Sequence, residues 1–209
     1  VPLRGTVLDA FPVGGNLYLS SYWDTVVLTP LNYTTTSAPI LGVRLFNQGR
    51  GLLSANCWAN ADNTVYGLDA RDIWGFNGQS FQGLGNQRVR HWFFDQLDPD
   101  YWDRVYLITN TEKNQIEIYY PDLDSTGFCN QMIAYRYDLD IWNPPRQVSY
   151  ATAACEAPNL VNGNFNLATR GVVYSAFQSN VGTPNVQLVQ KDTGTSFFGS
   201  NIASQFTRN

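Results

Sequence analysis

The sequence is poor in charged residues. Asp, Glu, Lys and Arg make up 14% of the 209 residues, against about a quarter in an average soluble domain. The formal net charge is only −4 and 44% of the residues are hydrophobic, which excludes intrinsic disorder because disorder needs the opposite balance. Acids exceed bases by 17 to 13, which argues against a protein that binds nucleic acid through an overall positive charge. The sequence leaves room for a local basic patch.

Long apolar runs are also missing. The longest, such as Val26-Val27-Leu28, have the length of strands, whereas a membrane helix needs about 18 apolar residues. No membrane helix is therefore predicted. The sequence begins with Val rather than Met and shows no basic-then-apolar leader, which indicates a piece of a longer chain.

Residues that bind metals are few. The three cysteines, Cys57, Cys129 and Cys155, have spacings that fit neither a zinc site nor a disulfide framework. We interpret them as buried free thiols. His91 is the only histidine and has no cysteine or acid at ligand spacing, which excludes a histidine-rich zinc site and leaves no basis for a triad. No cofactor is expected.

Two groups of carboxylates are candidates for calcium ligands or for catalytic acids. Asp122 to Gly127 carries oxygen ligands at the spacing of a calcium loop, but Ile133 stands where the loop needs its bidentate carboxylate. We interpret it as a turn. Asp95, Asp98, Asp100 and Asp103 would need to face one another across a cleft to act as glycosidase residues, and their spacing favours a solvated helix end. The sequence thus predicts no catalytic residue, no metal ligand and no small-molecule substrate.

β-Branched and aromatic residues recur in short runs between turn residues, and helical periodicity is nearly absent. This pattern predicts an all-β chain. Four hairpins stand out, with strands at 17–19 and 26–28, 65–68 and 73–76, 105–108 and 116–119, and 172–174 and 186–189.

One segment has helical periodicity instead. Apolar residues between Gln87 and Leu97 lie on one helix face, and Pro99 prevents continuation. The sequence therefore predicts a short helix whose Trp92 and Phe93 pack on a neighbouring sheet. Arg88, Arg90 and His91 on this helix would be able to contact a phosphate backbone or an acidic partner, but ordinary solvation is favoured.

The hairpins begin 48, 40 and 67 residues apart, and periods of about 40 to 50 residues with several strands each are typical of propeller blades. An Asp-Ile-Trp triplet occurs twice, ending in Trp74 and Trp142, each time after a strand with tyrosine, Tyr66 in one case and Tyr135 in the other. We therefore predict a structural core of Trp74, Trp142, Tyr66, Tyr135, Trp92 and Phe93. The fold class is an all-β, propeller-like array of antiparallel blades with one short helix.

Residues 73–145 carry a longer pattern. It runs from Ile73-Trp74-Gly75-Phe76-Asn77-Gly78 through Arg88-Val89-Arg90-His91-Trp92 and Asp103-Arg104-Val105 to Asn114-Gln115-Ile116-Glu117-Ile118-Tyr119-Tyr120-Pro121 and Tyr135-Arg136-Tyr137-Asp138-Leu139-Asp140-Ile141-Trp142. This order resembles the β-propeller part of nozzle or hub proteins in the tails of bacteriophages.

The resemblance implies a non-enzymatic virion component that assembles in a ring around the genome-ejection channel. Residues 1–209 would then form one propeller-like domain or a fragment of a longer tail protein. Its partners would be copies of itself and other tail proteins, with transient contact to passing DNA. The alternative is a carbohydrate- or receptor-binding module, because aromatic residues on blade loops are suited to stacking on sugars.

Overall fold

The computed structural model describes residues 3–31 and 41–157, together with six strands between residues 159 and 201. This part of the chain is mostly antiparallel β-sheet with one α-helix. The helix has ten residues, and no helix in the described residues is long and apolar enough to cross a membrane.

The first sheet is a four-stranded meander in which each strand pairs with the next. Its strands are β1 (Asp9–Val13), β2 (Asn16–Ser20), β3 (Asp24–Pro30) and β4 (Leu41–Gln48). Gly14 and Gly15 connect β1 to β2 with φ angles of 57° and 79°. Two successive positive φ angles give a two-residue turn the twist that a hairpin needs, and glycine adopts them without steric cost.

The second sheet repeats this arrangement. Its strands are β5 (Trp58–Ala61), β6 (Thr64–Leu68), β7 (Ile73–Phe76) and β8 (Phe81–Gly83). The β6–β7 turn is fixed by Asp69, whose carboxylate accepts the backbone N–H groups of Arg71 at 2.7 Å and Asp72 at 2.8 Å. Such a side-chain-to-backbone bond mimics a backbone turn, so the local sequence defines the hairpin.

The helix α1 (Gln87–Gln96) follows the second sheet, as the periodicity predicts. Asn86 caps it by accepting the N–H of Val89 at 3.0 Å. Phe93 is its one fully buried residue, and Trp92 is half-buried against the same apolar cluster. A short 3-10 helix (Trp102–Arg104) then leads into the third sheet.

The third sheet is larger than the two meanders. The remaining strands among the described residues are β9 (Tyr106–Asn110), β10 (Gln115–Tyr120), β11 (Cys129–Arg136), β12 (Ile141–Trp142), β13 (Arg146–Ala157), β14 (Asn159–Val161), β15 (Asn164–Asn166), β16 (Val172–Gln178), β17 (Val186–Gln190), β18 (Ser196–Phe197) and β19 (Ser200–Asn201). The strand order in the third sheet is β17-β16-β13-β11-β10-β9, and β12 pairs with β11.

This third sheet curls on itself. β9 contacts β13 and β16 although β10 and β11 lie between them in the sheet. Every residue of β9 and β10 is therefore buried. Alternate residues face two different cores: Leu107 and Ile118 belong to the main cluster, whereas Ile108 and Tyr119 belong to a smaller cluster inside the curl.

The main apolar cluster draws on all three sheets and on α1. Backbone hydrogen bonds reinforce the contact between the second and third sheets, because the N–H of Leu107 donates to the carbonyl of Asn56 at 2.9 Å. The hydroxyl of Thr109 donates to the carbonyl of Asn60 at 2.8 Å. The first strand of one sheet thus lies against the first strand of the next.

All four predicted hairpins are present as antiparallel pairs, namely β2–β3, β6–β7, β9–β10 and β16–β17. The structure differs from the expected array in its third unit, which has seven strands rather than the few strands of a blade. The long strand β13 joins the β9–β11 group to β16, and this continuous pairing merges what the spacing suggested were two separate units.

Candidate interaction surface

The six residues of the predicted structural core all join or pack on the main apolar cluster. Four of them are buried members, namely Tyr66, Trp74, Phe93 and Tyr135, and two are half-buried residues packed against it, namely Trp92 and Trp142. These positions anchor the sheets to one another.

The two tryptophans of the repeated triplet have different environments. Trp74 lies on β7, is completely buried, and covers Gly67 on β6 so closely that a Cβ there would lie 2.2 Å from the ring. Trp142 lies on the two-residue strand β12, where it pairs with Tyr135 and donates to the carbonyl of Leu84 at 3.1 Å. Trp74 therefore fills a core, while Trp142 joins the third sheet to the segment after β8.

No functional role was predicted from the sequence for a second set of residues. These residues form one side of the first sheet. Strand pairing aligns Pro12, Leu17, Leu28 and Val43 in one row across all four strands. We call the side of the sheet that carries this row the outer face. Its residues are almost all apolar, namely Ala10, Pro12, Leu17, Leu19, Val26, Leu28, Pro30, Leu41, Val43 and Leu45, and the one polar residue of β3 on this side is the buried Asp24 at the start of the strand. Val26 is also buried.

The opposite side of the same sheet faces the main core. Phe11, Tyr18 and Val27 on that side are buried members of the main cluster. On the outer face, Leu17, Val43 and Leu41 are 40%, 45% and 46% exposed. A strand that faces solvent on one side alternates apolar and polar residues. This sheet instead has the apolar residues of a sheet that is covered on both sides.

An exposed aromatic cluster lies elsewhere, between the β2–β3 turn and the 3-10 helix. The ring of Tyr22 contacts Trp23 and Trp102 at centroid distances of 4.6 and 5.5 Å. Trp23 is 50% exposed and Trp102 is 36% exposed. Ser21 fixes the turn, since its hydroxyl oxygen accepts the N–H groups of Trp23 and Asp24. We call these three rings the aromatic cluster.

Ion pairs connect the first two sheets at one end. Arg50 follows β4 and donates to Asp69 at 2.9 Å and to Asp72 at 3.1 Å, both in the β6–β7 turn. Both carboxylates are buried, so the guanidinium group supplies the charge that their burial requires. Next to this network is an open groove of about 800 Å³ that Arg71 and Arg90 also line.

The sequence did not identify Glu117 as a polar centre of the third sheet. It lies between Ile116 and Ile118 and is fully buried. Its carboxylate accepts hydrogen bonds from Asn110 at 2.9 Å, Gln115 at 2.7 Å and the hydroxyl of Tyr119 at 2.9 Å. The curl of the sheet encloses this side of β10, so the carboxylate lies in the interior.

The aspartates considered as ligands or acids are engaged in turns. Asp122 accepts Asn130 at 2.6 Å and Gln131 at 2.9 Å through its two carboxylate oxygens. Asp98 is buried and accepts the N–H of Asp100. Asp95 and Asp103 are exposed, as is His91. In the described residues the structure does not bring these carboxylates together, and it contains no group of three side chains suited to a metal.

Two of the three cysteines are buried, as predicted, but Cys155 is exposed, so the prediction is wrong for that residue. It lies on β13, in a stretch where Thr152 and Ala153 are exposed as well. Burial raises the pKa of the Cys57 and Cys129 thiols to about 12. Both thiols are therefore protonated and unreactive at neutral pH.

No protein-family model matches the chain, and no curated protein is similar enough to be a relative.

Proposed function

We propose that this chain is a structural component of a bacteriophage tail, of the nozzle or hub type, whose sheets are blades of a larger propeller. The resemblance of residues 73–145 to that family motivates the proposal. Two consecutive four-stranded meanders support it, as does the contact of β5 with β9, since successive blades of a propeller meet through their faces. The chain acts by assembly in the virion tail and catalyses no reaction.

The observation that carries the proposal is the outer face. A sheet that is apolar on both sides is stable only when both sides are covered. The second sheet covers one side. We propose that a sheet from a neighbouring copy of the chain covers the other, which extends the array around the genome-ejection channel.

The size of this contact determines the kind of assembly. Burying the exposed parts of Leu17, Leu41 and Val43 contributes about 2 to 4 kcal/mol in total. Association costs at least about 4 kcal/mol in lost translational and rotational freedom. A single contact of this kind is too weak for a stable dimer. In a closed ring every copy makes two such contacts, and closing the ring adds the last contact without a further association step, so we expect rings of several copies at high concentration rather than a dimer.

The native mass of the chain over a range of concentrations tests the proposal. We expect the wild-type chain to form oligomers of several copies as the concentration rises. The double variant Leu17→Lys/Val43→Lys places two charges on the outer face and should remain monomeric. The matched control is Leu123→Lys, which changes a 60% exposed leucine in the loop before β11 and should assemble like the wild type. A wild-type chain that stays monomeric, or a double variant that assembles normally, contradicts the proposal.

The aromatic cluster favours a second candidate function, a carbohydrate- or receptor-binding module. Trp23 on the turn fixed by Ser21 and Trp102 on the 3-10 helix present partly exposed indole rings, and aromatic rings combine apolar stacking surface with a polar edge. A glycan array tests this candidate. Trp23→Ala and Trp102→Ala should abolish binding, while Leu139→Ala, which changes an exposed apolar residue elsewhere, should not. Loss of binding in all three variants, or in none, contradicts it.

A further inference from the structure

The groove beside the Arg50 network collects three arginines from three separate segments. Arg50 follows β4, Arg71 lies in the β6–β7 turn, and Arg90 lies on α1. The chain has 13 basic residues in total and a net charge of −4, so three guanidinium groups on one groove is a local concentration of positive charge. We call this space the arginine groove.

The three arginines differ in how their charge is balanced. Arg50 is paired with the buried carboxylates of Asp69 and Asp72. Arg71 donates to the backbone carbonyl of Gly49 and has no carboxylate partner among the described residues. The side chain of Arg90 forms neither an ion pair nor a hydrogen bond within the described part of the chain, and only its backbone N–H is engaged, donating to Asn86 within the helix. Even with both aspartates counted, cations exceed carboxylates by three to two, so the groove retains a positive charge.

The lining carboxylate is not available to neutralise Arg71 or Arg90. One oxygen of Asp72 accepts the N–H of Ile73 at 2.9 Å, and the other accepts Arg50 at 3.1 Å. The same carboxylate lies so close to β8 that a Cβ at Gly83 would be 2.6 Å from it. Asp72 is thus enclosed by its own partners, and two guanidinium groups remain free to bind an anion.

The rest of the groove is polar and neutral. Its walls carry amide and hydroxyl side chains that face open space beside two aromatic rings, and these residues are Asn47, Gln48, Gln79, Ser80, Phe46 and Phe81. The rings of Phe46 and Phe81 lie 6.0 Å apart. Amides and hydroxyls both donate and accept hydrogen bonds, which suits a ligand with many hydroxyl groups.

We propose that the arginine groove binds an acidic saccharide, with a carboxylate of the sugar held by Arg71 and Arg90. A guanidinium group matches a carboxylate with two parallel hydrogen bonds, and the amides of the groove bind the sugar hydroxyls. A nucleic acid fits less well, because two free cations neutralise few phosphates and nucleic-acid binding depends on many such contacts. This site does not depend on the proposed assembly, since none of its residues lies on the outer face.

Binding to an oligogalacturonate, measured by calorimetry on the full chain, tests the proposal. We expect saturable binding that is weakened at least about tenfold by Arg71→Gln and by Arg90→Gln, since each removes a charge-assisted contact. The control Arg88→Gln changes an exposed arginine on the same helix that does not line the groove, and it should bind like the wild type. Unchanged melting temperatures show that the variants are folded.

Binding measurements with three further ligands decide between the ligand classes. A neutral oligosaccharide should not bind, because the carboxylate is required. A polyglutamate peptide and a single-stranded oligonucleotide of equal charge should bind at least about tenfold more weakly than the uronate. Equal binding of either polymer would indicate simple charge attraction and overturn the proposal, as would the absence of uronate binding. Equal loss of binding in Arg88→Gln would overturn it too. The native mass is measured in parallel, so that a failure of saccharide binding is distinguished from a failure of the assembly proposal.

Discussion

At the scale of single residues, Asp24 shows how one ion pair holds a turn. Arg4 donates to both oxygens of its carboxylate at 2.7 Å, and the N–H of Gly49 donates to one of them at 3.2 Å. The hydrogen bonds from Arg4, more than any other interaction, lower the pKa of Asp24 from 3.8 to about 2. Asp24 therefore ionises more readily in the folded chain than in the unfolded one.

This pKa predicts a pH dependence of stability. Because the folded pKa is the lower one, the ion pair contributes its full stability above about pH 4 and loses it as the pH falls through about 2. We expect Asp24→Asn to be less stable than the wild type at neutral pH and to lose less stability between these values. Denaturant unfolding at several pH values measures the difference. Asp124→Asn, at an exposed loop position, is the control. Parallel curves for the wild type and Asp24→Asn would contradict the prediction.

The residue scale also shows where sequence reasoning succeeds and fails. The type of residue predicted the burial of Cys57 and Cys129, because an unpaired cysteine behaves as a small apolar residue. The same rule failed for Cys155, which is exposed. No pattern in the sequence singled out Glu117, because its burial depends on the curl of the third sheet, which brings together strands far apart in the sequence.

At the scale of elements, local signals were sufficient. The turns Asp62-Asn63 and Asn77-Gly78 follow from residues that accept positive φ angles, and the helix start follows from its Asn86 cap. The pairing of strands beyond a hairpin was not predictable in this way. β13 pairs with both β11 and β16, and the loops between these strands differ greatly in length. No local residue specifies this pairing.

The contact of β6 with β7 gives a prediction for these elements. Trp74 is fully buried and its ring lies over Gly67, so Trp74→Ala should lower the free energy of unfolding by about 3 to 5 kcal/mol. Gly67→Ala should also destabilise the chain, because its methyl group would overlap the indole. A Cβ at Gly75 would meet only ordinary contacts at 3.7 Å, so Gly75→Ala is the matched control. Thermal and denaturant unfolding compare the three, and equal effects of the two glycine variants would contradict this packing.

At the scale of the whole molecule, the apolar runs indicate burial on both faces of a sheet as well as the positions of hairpin strands. Leu17-Tyr18-Leu19 and Val26-Val27-Leu28 are continuous apolar runs, which are typical of strands buried on both faces. The runs were sufficient to predict the strands. Which residues share a face of the sheet follows only from the register in which all four strands pair. The outer face emerges only when Leu17, Leu28 and Val43 are aligned.

The last prediction concerns the ion pairs that connect the first sheet to the second. Removing one partner of a buried ion pair leaves an uncompensated charge and costs about 3 to 5 kcal/mol, and Arg50 serves two buried carboxylates, Asp69 and Asp72. Arg50→Met keeps an unbranched apolar stem but removes the guanidinium group and its charge. We expect a loss of stability in that range. Arg136→Met breaks the pair of Arg136 with Asp138, whose side chains are 31% and 29% exposed, and should cost much less stability because solvent screens an exposed pair.

The triple variant Arg50→Met/Asp69→Asn/Asp72→Asn separates charge from packing. Because it removes the buried charges together with their partner, it should recover a large part of the stability that Arg50→Met loses. Denaturant unfolding of the four proteins gives the comparison. If Arg50→Met and Arg136→Met cost the same, Arg50 does not connect the sheets through buried charge. If the triple variant recovers nothing, the contribution of Arg50 comes from packing of its side chain between the first and second sheets.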